Sequence, residues 1–412
     1  MLSAGKQKTG STNRPQLAAA INTVKYHLHG QHILDRLLGG YGWNGAYHDP
    51  AMDLVGLYVD QAGAGDLSFE RAKRHPTMKI YPTILEALTL GTGKLAVDGV
   101  VLVAEDGDYP RNEKGQPEFP RYKFFEQIVD VFHLSGRSVP VYVDKHLSWR
   151  WDWAKQMYDT ARQMGFPLMA GSSLPVTWRI PSVEMPLGSS IREAVCVGYA
   201  DSPQDEVDSY DFHALETIQC MVERRKGGET GVEWVQAYRG DSFWKAYEQE
   251  VWSPTLVKAA LCRSHTLVSA RSGFTDLYPT MEQMRALTTN PLAYHYQYRD
   301  GLRCTIILFD GLLRDFNFAA TIDGQAKPFS TQMYLPMPDG RTTLADFFNP
   351  LVHTMELMFL TGRTQYPVER TLLTNGILIA GIDSLFQGQL RVPTPNLDIH
   401  YEPNPKSTFW RS

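Results

Sequence analysis

Two short segments of the chain carry side chains that could move protons. In the first, Asp144, Lys145 and His146 directly follow an apolar run at residues 139–143. A lysine beside a carboxylate can donate a proton or orient a hydroxyl group. A solvated loop would explain the same residues, but their position after a predicted strand favours a functional site.

The second segment contains Asp208, Asp211, His213 and Glu216 at the predicted start of a helix. The pKa of a histidine lies near neutrality, so His213 with nearby carboxylates is a candidate general acid or base. Alternatively, Asp208, His213 and Glu216 could bind a divalent metal ion. In a third interpretation, Asp211 caps the helix and His213 is structural. The residues alone leave these three interpretations open.

A glycine-rich loop is the next feature that could bind a ligand. Dinucleotide sites use the pattern G-x-G-x-x-G, whose glycines let backbone amides reach a pyrophosphate. In the corresponding segment, residues 23–31, only Gly30 remains, and Lys25, Tyr26 and His27 are bulky. The segment is consistent with a turn that binds nothing and with a cofactor held in an altered way.

Two further polar segments border the same predicted edge. Asp60 ends the predicted strand at residues 54–59 and could bond the ribose hydroxyls of NAD, or cap the following turn. The stretch at residues 105–121 is polar and rich in proline and glycine, which is typical of a lid or of a solvated surface loop. We assign no single residue of this stretch a role.

Composition bounds the classes of protein to which these residues can belong. The 412 residues fit two domains, and 43% hydrophobic with 21% charged residues excludes a disordered chain. A net charge of -5 argues against nucleic-acid binding. The sequence contains no run of 18 apolar residues, so we predict no membrane-spanning helix. The four cysteines form no C-x-x-C motif, and the polar start has no secretory pattern. We therefore expect a cytoplasmic location.

The elements that must position the candidate residues fall into two halves. In the first half, strands alternate with helices, which predicts a parallel sheet covered on both faces, with ligands at the carboxyl ends of its strands. The predicted strands are residues 18–24, 54–59, 97–103, 139–143 and 166–170, and the predicted helices are 31–38, 69–74, 84–90, 122–134 and 151–163.

After residue 172 the pattern changes to alternating segments, which indicate a large, open, mostly antiparallel sheet with helices on one side. The predicted strands are residues 232–238, 293–298, 303–309 and 315–322, and the predicted helices are 212–225 and 368–386. The predicted division is a flexible tail at 1–15, a Rossmann-type α/β domain at 16–172 and an α+β domain at 173–412.

In their order, these segments resemble a remote branch of the glucose–fructose oxidoreductase/inositol dehydrogenase (Gfo/Idh/MocA) family. The sequence Asp144-Lys145-His146 stands where the family has Glu-Lys-Pro, and Gly171 and Arg179 match a later Gly-x-Asn-x-Arg segment. His213 and Glu216 match the last two positions of an Asp, His, Asp pattern at a helix start. The stretch at 366–393 resembles the closing helix, so the similarity spans about residues 20–395.

The resemblance implies a Rossmann-type domain followed by a substrate domain, a homo-oligomer, and oxidation or reduction of a sugar, cyclitol or related polyol with NAD or NADP. The residues that it implies are Lys145, His213 and Asp208 for catalysis, Gly30, Asp60, Asp144 and Lys145 for the cofactor, and Arg179 and Glu216 for the substrate. Two alternatives use the same segments. One is a lyase or hydratase that works without NAD, either unaided or with a divalent metal at Asp208, His213 and Glu216. The other is a binding protein without catalysis.

Overall fold

The computed structural model describes residues 14–200, 207–268, 278–336 and 344–411, and these residues form two large sheets and one short hairpin. Most of the predicted tail at 1–15 lies outside the described residues. Its last part is described, and there the Arg14 side chain donates hydrogen bonds to Asp53 Oδ1 and to the Met52 carbonyl, each at 2.9 Å.

The first sheet is six-stranded and entirely parallel, in the order β5-β4-β1-β6-β7-β8. The predicted strands and helices of this half are all present, with ends that differ by at most three residues. The elements are β1 (Gln16–Ile21), α1 (His29–Gly39), β2 (Tyr41–Trp43), β3 (Ala46–His48), β4 (Asp53–Val59), α2 (Ser68–Arg74), β5 (Lys79–Tyr81), α3 (Ile84–Thr89), β6 (Gly99–Val103), α4 (Arg121–Ser135), β7 (Val141–Asp144), α5 (Trp151–Met164) and β8 (Leu168–Gly171).

The parallel sheet follows from strands whose side chains are buried on both faces. Leu17, Ala19 and Ile21 of β1 belong to one apolar core, and Ala18 and Ala20 belong to another. Helices α3, α4 and α5 cover the second core. The first core contains α1 and continues without a break into the second half of the chain.

The second sheet has eight strands in the order β16-β11-β12-β13-β10-β14-β15-β9. The described neighbours pair antiparallel, except that β10 and β13 pair in parallel. The elements are β9 (Arg179–Ile180), β10 (Ile191–Tyr199), α6 (Tyr210–Val222), β11 (Val232–Arg239), α7 (Asp241–Glu248), α8 (Pro254–Leu261), α9 (Met281–Leu287), β12 (Leu292–Tyr298), β13 (Arg303–Phe309), β14 (Phe316–Ile322), β15 (Phe329–Met333), α10 (Phe348–Thr361), α11 (Val368–Phe386) and β16 (Val392–Pro393).

Together the two sheets confirm the predicted fold class, but helices lie on both faces of the second sheet and not on one. Helices α6 and α11 pack against the inner face. On the other face, Phe243 of α7, Trp252 of the α7–α8 loop, and Leu256 and Val257 of α8 pack against Val197 of β10 and its neighbours. The sequence predicts no helix in this stretch, because α7 and α8 are only eight residues long.

The junction of the two halves brings the end of β8 against α6. A β-carbon on Gly171 would lie 2.7 Å from Glu216 Oε2, and the φ of Gly171 is +136°, so glycine is required at this close approach. The neighbouring strand β7 is followed directly by Lys145, which has a left-handed φ of +62° and donates its amide to the Gly171 carbonyl at 3.1 Å. These contacts place the end of the parallel sheet beside the start of α6.

Candidate active site

A cavity of about 390 Å³ lies where the two halves meet, and we call it the central pocket. Residues of the β1–α1 loop, of the ends of β6 and β7, of β10 and of the start of α6 line it. The lining side chains that could carry chemistry are His27, His29, His32, Glu105, Asp106, Lys145, Ser173, Tyr199, Ser209, Tyr210 and His213.

Lys145 lies at the end of β7 and is only 4% exposed. Its Nζ forms an ion pair with Glu105, which directly follows the neighbouring strand β6. Glu105 also pairs with the fully buried Arg121. The predicted catalytic lysine is therefore held against the pocket by a buried network of charges.

His213 lies in the first turn of α6 and faces the same pocket. Burial holds the pKa of His213 well below its ordinary value, and the positive charges of Lys145 and His29 lower it further. Its Nδ1 has no hydrogen-bond partner among the described residues. The imidazole is thus neutral, with a ring nitrogen left for a ligand, as a proton acceptor requires.

His29 stands opposite, with its ring centre 6.3 Å from that of His213. Its Nδ1 lies 2.7 Å from Asp144 Oδ2. Burial by itself lowers the pKa of His29, but the Asp144 carboxylate raises it by more, so the net shift is upward. Two histidines whose surroundings shift their pKa values in opposite directions suit a base and an acid.

Asp106 adds a carboxyl group to this pocket. Its pKa is raised to about 6 by burial and by the neighbouring Glu105 carboxylate. Its Oδ2 is buried and has no hydrogen-bond partner within the described part of the chain. A carboxyl group in this state can bind a hydroxyl group or exchange a proton with one.

Asp208, the predicted catalytic aspartate, contacts a different histidine. Its Oδ1 lies 2.6 Å from His146 Nε2, and Gln116 Nε2 lies 3.5 Å from its Oδ2. His146 Nε2 is also 3.1 Å from the Arg121 guanidinium. Asp208 thus joins the buried network behind Lys145, and the described contacts do not include one between Asp208 and His213.

The two predicted substrate residues are not among the described residues that line the central pocket. Glu216 is fully buried, where Ser172 N donates to its Oε2 at 3.2 Å and Thr374 Oγ1 donates to its Oε1 at 3.0 Å. Burial raises the pKa of Glu216 to about 7. The buried Arg179 guanidinium stacks on the Phe409 ring at 4.0 Å. Both side chains connect elements of the fold.

The structure does not bring Asp208, His213 and Glu216 together as metal ligands. Within the described ranges, the group of three metal-binding side chains whose ligand atoms lie close together is formed by His48 of β3 and by His353 and Glu356 of α10. The alternative prediction of a metal at Asp208, His213 and Glu216 is therefore wrong.

Gly30 lies at the start of α1, where helix and strand approach each other closely. A β-carbon at this position would lie 2.4 Å from the Thr23 carbonyl oxygen and 2.8 Å from the Ile21 side chain. The glycine is thus required for packing of α1 on β1, and its contacts do not show a phosphate cradle.

The loop before α1 is where the fold would hold the pyrophosphate of NAD(P). Four amides of this loop already donate hydrogen bonds within the chain, all at 3.0–3.1 Å. Thr23 N donates to Asn22 Oδ1 and Val24 N donates to Asp66 Oδ2. His27 N donates to Gln31 Oε1 and Leu28 N donates to the Lys25 carbonyl. The Asp66 carboxylate would also repel a phosphate.

The residue that would bind the ribose of NAD(P), Asp60, is also bonded within the chain. Asp60 accepts hydrogen bonds from the hydroxyls of Tyr58 and Tyr109, each at 2.7 Å. Tyr109 belongs to the loop after β6, and this loop is joined to the loop after β4 by two hydrogen bonds between Gln61 and Asp108 at 2.8 and 2.9 Å. In this conformation the residues do not fit a dinucleotide in its usual position.

Glu105 and Asp106 belong to the polar stretch at residues 105–121 that the strand-end rule had marked, but neither was assigned a role from the sequence. His29 was not predicted at all. His29 gave no signal, because its role depends on its contact with Asp144, 115 positions away in the chain.

No family model and no curated protein matches this sequence. Solved structures do match its fold. GenD2 from gentamicin A biosynthesis, solved with NAD, is 13% identical and superposes with a TM-score of 0.57 over 95% of this chain and 99% of its own. A putative myo-inositol dehydrogenase from Sinorhizobium meliloti 1021 is 11% identical, with a TM-score of 0.55 over 92% and 99%.

The myo-inositol dehydrogenase from Lactobacillus casei, solved with NAD(H) and myo-inositol, is 10% identical, with a TM-score of 0.51 over 96% of this chain and 99% of its own. Identities this low establish the fold and not the activity. In the described part of the chain, no helix is long and apolar enough to cross a membrane. The resemblance seen in the sequence is confirmed in three dimensions: this chain has the two-domain fold of the inositol dehydrogenases and related oxidoreductases of the Gfo/Idh/MocA type.

Proposed function

We propose that this protein is an enzyme that transfers protons to and from a small polyhydroxylated molecule, a sugar, a cyclitol or a related polyol, in the central pocket. The observation that carries the proposal is the pair His213 and His29, whose rings line the same pocket with centres 6.3 Å apart and with pKa values shifted in opposite directions. A volume of about 390 Å³ is in the range of small-molecule sites.

Each group of the pocket has a role that its surroundings support. His213 Nδ1 takes a proton from the substrate, and protonated His29, which lines the same pocket, gives a proton to the leaving oxygen. The Lys145 ammonium stabilises negative charge that develops on a substrate oxygen. Asp106, Ser173 and Ser209 bind substrate hydroxyls.

Two reactions use these roles. The first is oxidation or reduction with NAD(P), which two of the matching structures favour, since GenD2 was solved with NAD and the Lactobacillus casei enzyme with NAD(H). Nicotinamide would accept or donate the hydride when bound. The second is a lyase or hydratase reaction without a nucleotide, and the engaged amides of the β1–α1 loop favour it.

The geometry supports the second reaction best, and we adopt it as the proposed function. Its substrate is the carbonyl-bearing form of such a polyhydroxylated molecule, an aldose, a keto sugar or a keto-cyclitol, and His213 removes a proton from the carbon beside the carbonyl group. The carbon–oxygen bond of the neighbouring carbon breaks, and His29 protonates the departing hydroxyl to give water. This reaction needs only the groups that line the pocket.

An exchange experiment separates the two reactions. The protein is incubated in deuterated buffer with a panel of inositols, aldoses, keto sugars and sugar acids, and proton NMR follows deuterium uptake and new products, with and without NAD(P). We expect uptake or water loss without nucleotide. Turnover that appears only with nucleotide, together with reduced nicotinamide in the absorbance spectrum, would establish the oxidoreductase reaction instead.

We also propose a homo-oligomer, on the basis of the sequence resemblance. Part of the outer face of the second sheet is covered by α7 and α8, so the contact would have to use the remainder around Trp234 and His295. Light scattering after gel filtration measures the mass, and a monomer at all protein concentrations would contradict this proposal.

A further inference from the structure

Three metal-binding side chains converge outside the central pocket. His48 lies in β3, at the end of the short hairpin, and His353 and Glu356 lie one turn apart on α10. One ligand atom of each residue lies within 4.8 Å of the others. More than 300 positions of sequence separate His48 from Glu356, so the convergence is a product of the fold.

We propose that His48, His353 and Glu356 bind one divalent transition-metal ion, and that the ion is zinc. Two imidazoles and one carboxylate are a ligand set that zinc accepts, with a fourth position left for water. The proposal is independent of the reaction in the central pocket.

The spacing of the ligand atoms fits a tetrahedral ion. Glu356 Oε2 lies 2.7 Å from His48 Nε2 and 3.9 Å from His353 Nδ1. Ligands at 2.0–2.1 Å from a tetrahedral zinc are roughly 3.3 Å apart. The two distances lie on either side of this value, so movements of several tenths of an ångström would admit the ion.

The groups around the three ligands fix their orientation. Ala51 N donates to Glu356 Oε1 at 2.7 Å, which leaves Oε2 toward the two histidines. The His353 ring stacks on Trp43 with ring centres 4.1 Å apart, and Trp43 in turn contacts Trp410 at 3.7 Å. In metal sites, contacts of this kind around the ligating side chains hold them in the orientation that the ion requires.

The site is open to an ion from solvent, and a hydroxyl group lies where it could bind a water molecule that serves as the fourth ligand. The His48 and His353 side chains are 26% and 22% exposed, whereas Glu356 is 3% exposed, so an ion can enter from solvent and meet a buried carboxylate. The Tyr41 hydroxyl lies 3.0 Å from Glu356 Oε2 and 3.3 Å from His353 Nδ1. It is placed to bond a metal-bound water.

The ion would connect two parts of the molecule. The hairpin of β2 and β3 belongs to the first half of the chain, and α10 belongs to the second. Tyr41 and Trp43 of this hairpin also line a cavity of about 750 Å³ that shares His27 and His32 with the central pocket. Zinc would therefore fix one wall of that cavity.

The test uses the full-length protein, freed of metal with a chelator and dialysed. Zinc is added as its chloride, and elemental analysis after gel filtration measures the bound metal. Calorimetry gives the affinity, and cobalt replacement gives a visible spectrum that reports tetrahedral nitrogen and oxygen ligands. We expect one zinc per chain and a higher melting temperature with zinc.

Variants His48→Ala and His353→Ala should bind zinc at least tenfold more weakly. His400→Ala is the matched control, because His400 also contacts a carboxylate, that of Asp398 at 2.9 Å, but stands alone. Both site histidines are partly exposed, so circular dichroism should show folded variants. Less than 0.1 zinc per chain, or unchanged affinity in both site variants, would overturn the proposal. Preferential retention of iron over zinc would overturn the choice of metal.

Discussion

The carboxyl edge of the parallel sheet has two halves, and they differ in how their polar groups are satisfied. At the ends of β1 and β4, which we call the nucleotide edge, loop amides and the Asp60 carboxylate are bonded within the chain, whereas the buried Thr23 Oγ1 and His27 Nδ1 have no hydrogen-bond partner among the described residues. At the ends of β6 and β7, the pocket edge, Asp106 Oδ2 and Asp144 Oδ1 have no hydrogen-bond partner in the described ranges, and neither does His213 Nδ1 opposite them.

This difference indicates where a ligand acts. Buried polar atoms are nearly always bonded, so unsatisfied atoms gathered around one cavity mark a place where a substrate supplies the missing partners. The bonded loop amides and the bonded Asp60 carboxylate at the other half of the same edge mark a place that the chain has filled with its own side chains. The fold is thus shared with dinucleotide enzymes, but it is the pocket half of its binding edge that keeps carboxylate oxygens available for a ligand.

The largest effect should follow from His213→Ala at the pocket edge. Loss of a positioned acid or base costs about 10²- to 10⁴-fold in rate. We expect this loss in the rate of deuterium exchange, with the melting temperature little changed. His133→Ala, on the exposed side of α4, is the control and should keep full activity. Full exchange in His213→Ala would remove this residue from the mechanism.

His29→Gln should lower the rate by about 10²-fold and change its pH dependence. Protonated His29 is the acid, and its pKa is raised overall by Asp144, although burial opposes the shift. The wild-type rate should therefore fall as pH rises through this raised pKa, and the variant should lack this alkaline limb. A variant that keeps the limb would show that another group is the acid. The rate of His400→Gln should follow the wild type.

Glu216→Gln tests a predicted substrate residue that the structure instead buries in the fold. Burial raises the pKa of Glu216 from 4.5 to about 7, so its protonated form contributes stability that is complete below pH 4.5 and is lost as pH rises through about 7. Relative to the variant, the wild-type free energy of unfolding should fall by about 1–3 kcal/mol over this range.

Urea unfolding at a series of pH values measures this difference, with the exposed Glu126→Gln as the control. A constant difference between wild type and Glu216→Gln across the range would show that Glu216 is charged in the folded protein. In that case it would belong with the ion pairs of the fold.

The smallest effect is expected at the nucleotide edge. Asp66→Asn removes the charge beside the Val24 amide and keeps an oxygen acceptor. Removing one repulsive charge is worth on the order of 1 kcal/mol near a surface, so binding of NAD(H) or NADP(H) should tighten by about fivefold from a weak starting value. Tryptophan fluorescence measures the binding, and Asp130→Asn is the control. Micromolar binding by the wild type would contradict the comparison of the two edges.

Most of the parallel sheet could be predicted from the sequence, because strands buried on both faces are continuous apolar runs. The second sheet was harder. β10 pairs with β13 and β14 at its centre, yet it begins with the partly exposed Ile191, Arg192 and Glu193 and gave no clear strand signal. The hairpin of β2 and β3 has strands of three residues, which are too short for a periodic pattern.

For the site, sequence analysis placed Lys145 and His213 correctly at a strand end and a helix start, and the structure brings both to one pocket. Residue type could not show that Glu216 and Arg179 are buried in the fold, since a carboxylate or a guanidinium suits a substrate equally well. The contact of Asp208 with His146 also lay beyond the sequence, because it depends on how the loop after β7 packs against the start of α6.

The apolar core that runs from β1 and α1 into α6 and α11 has a consequence for motion. Tyr142 and Met169 of the first sheet share this core with Leu215 and Ile377 of the second half. Halves joined in this way cannot swing apart as rigid bodies without exposing apolar surface to water. Substrate must therefore enter the central pocket through local movement of its loops, and heating should melt the two halves in one cooperative transition.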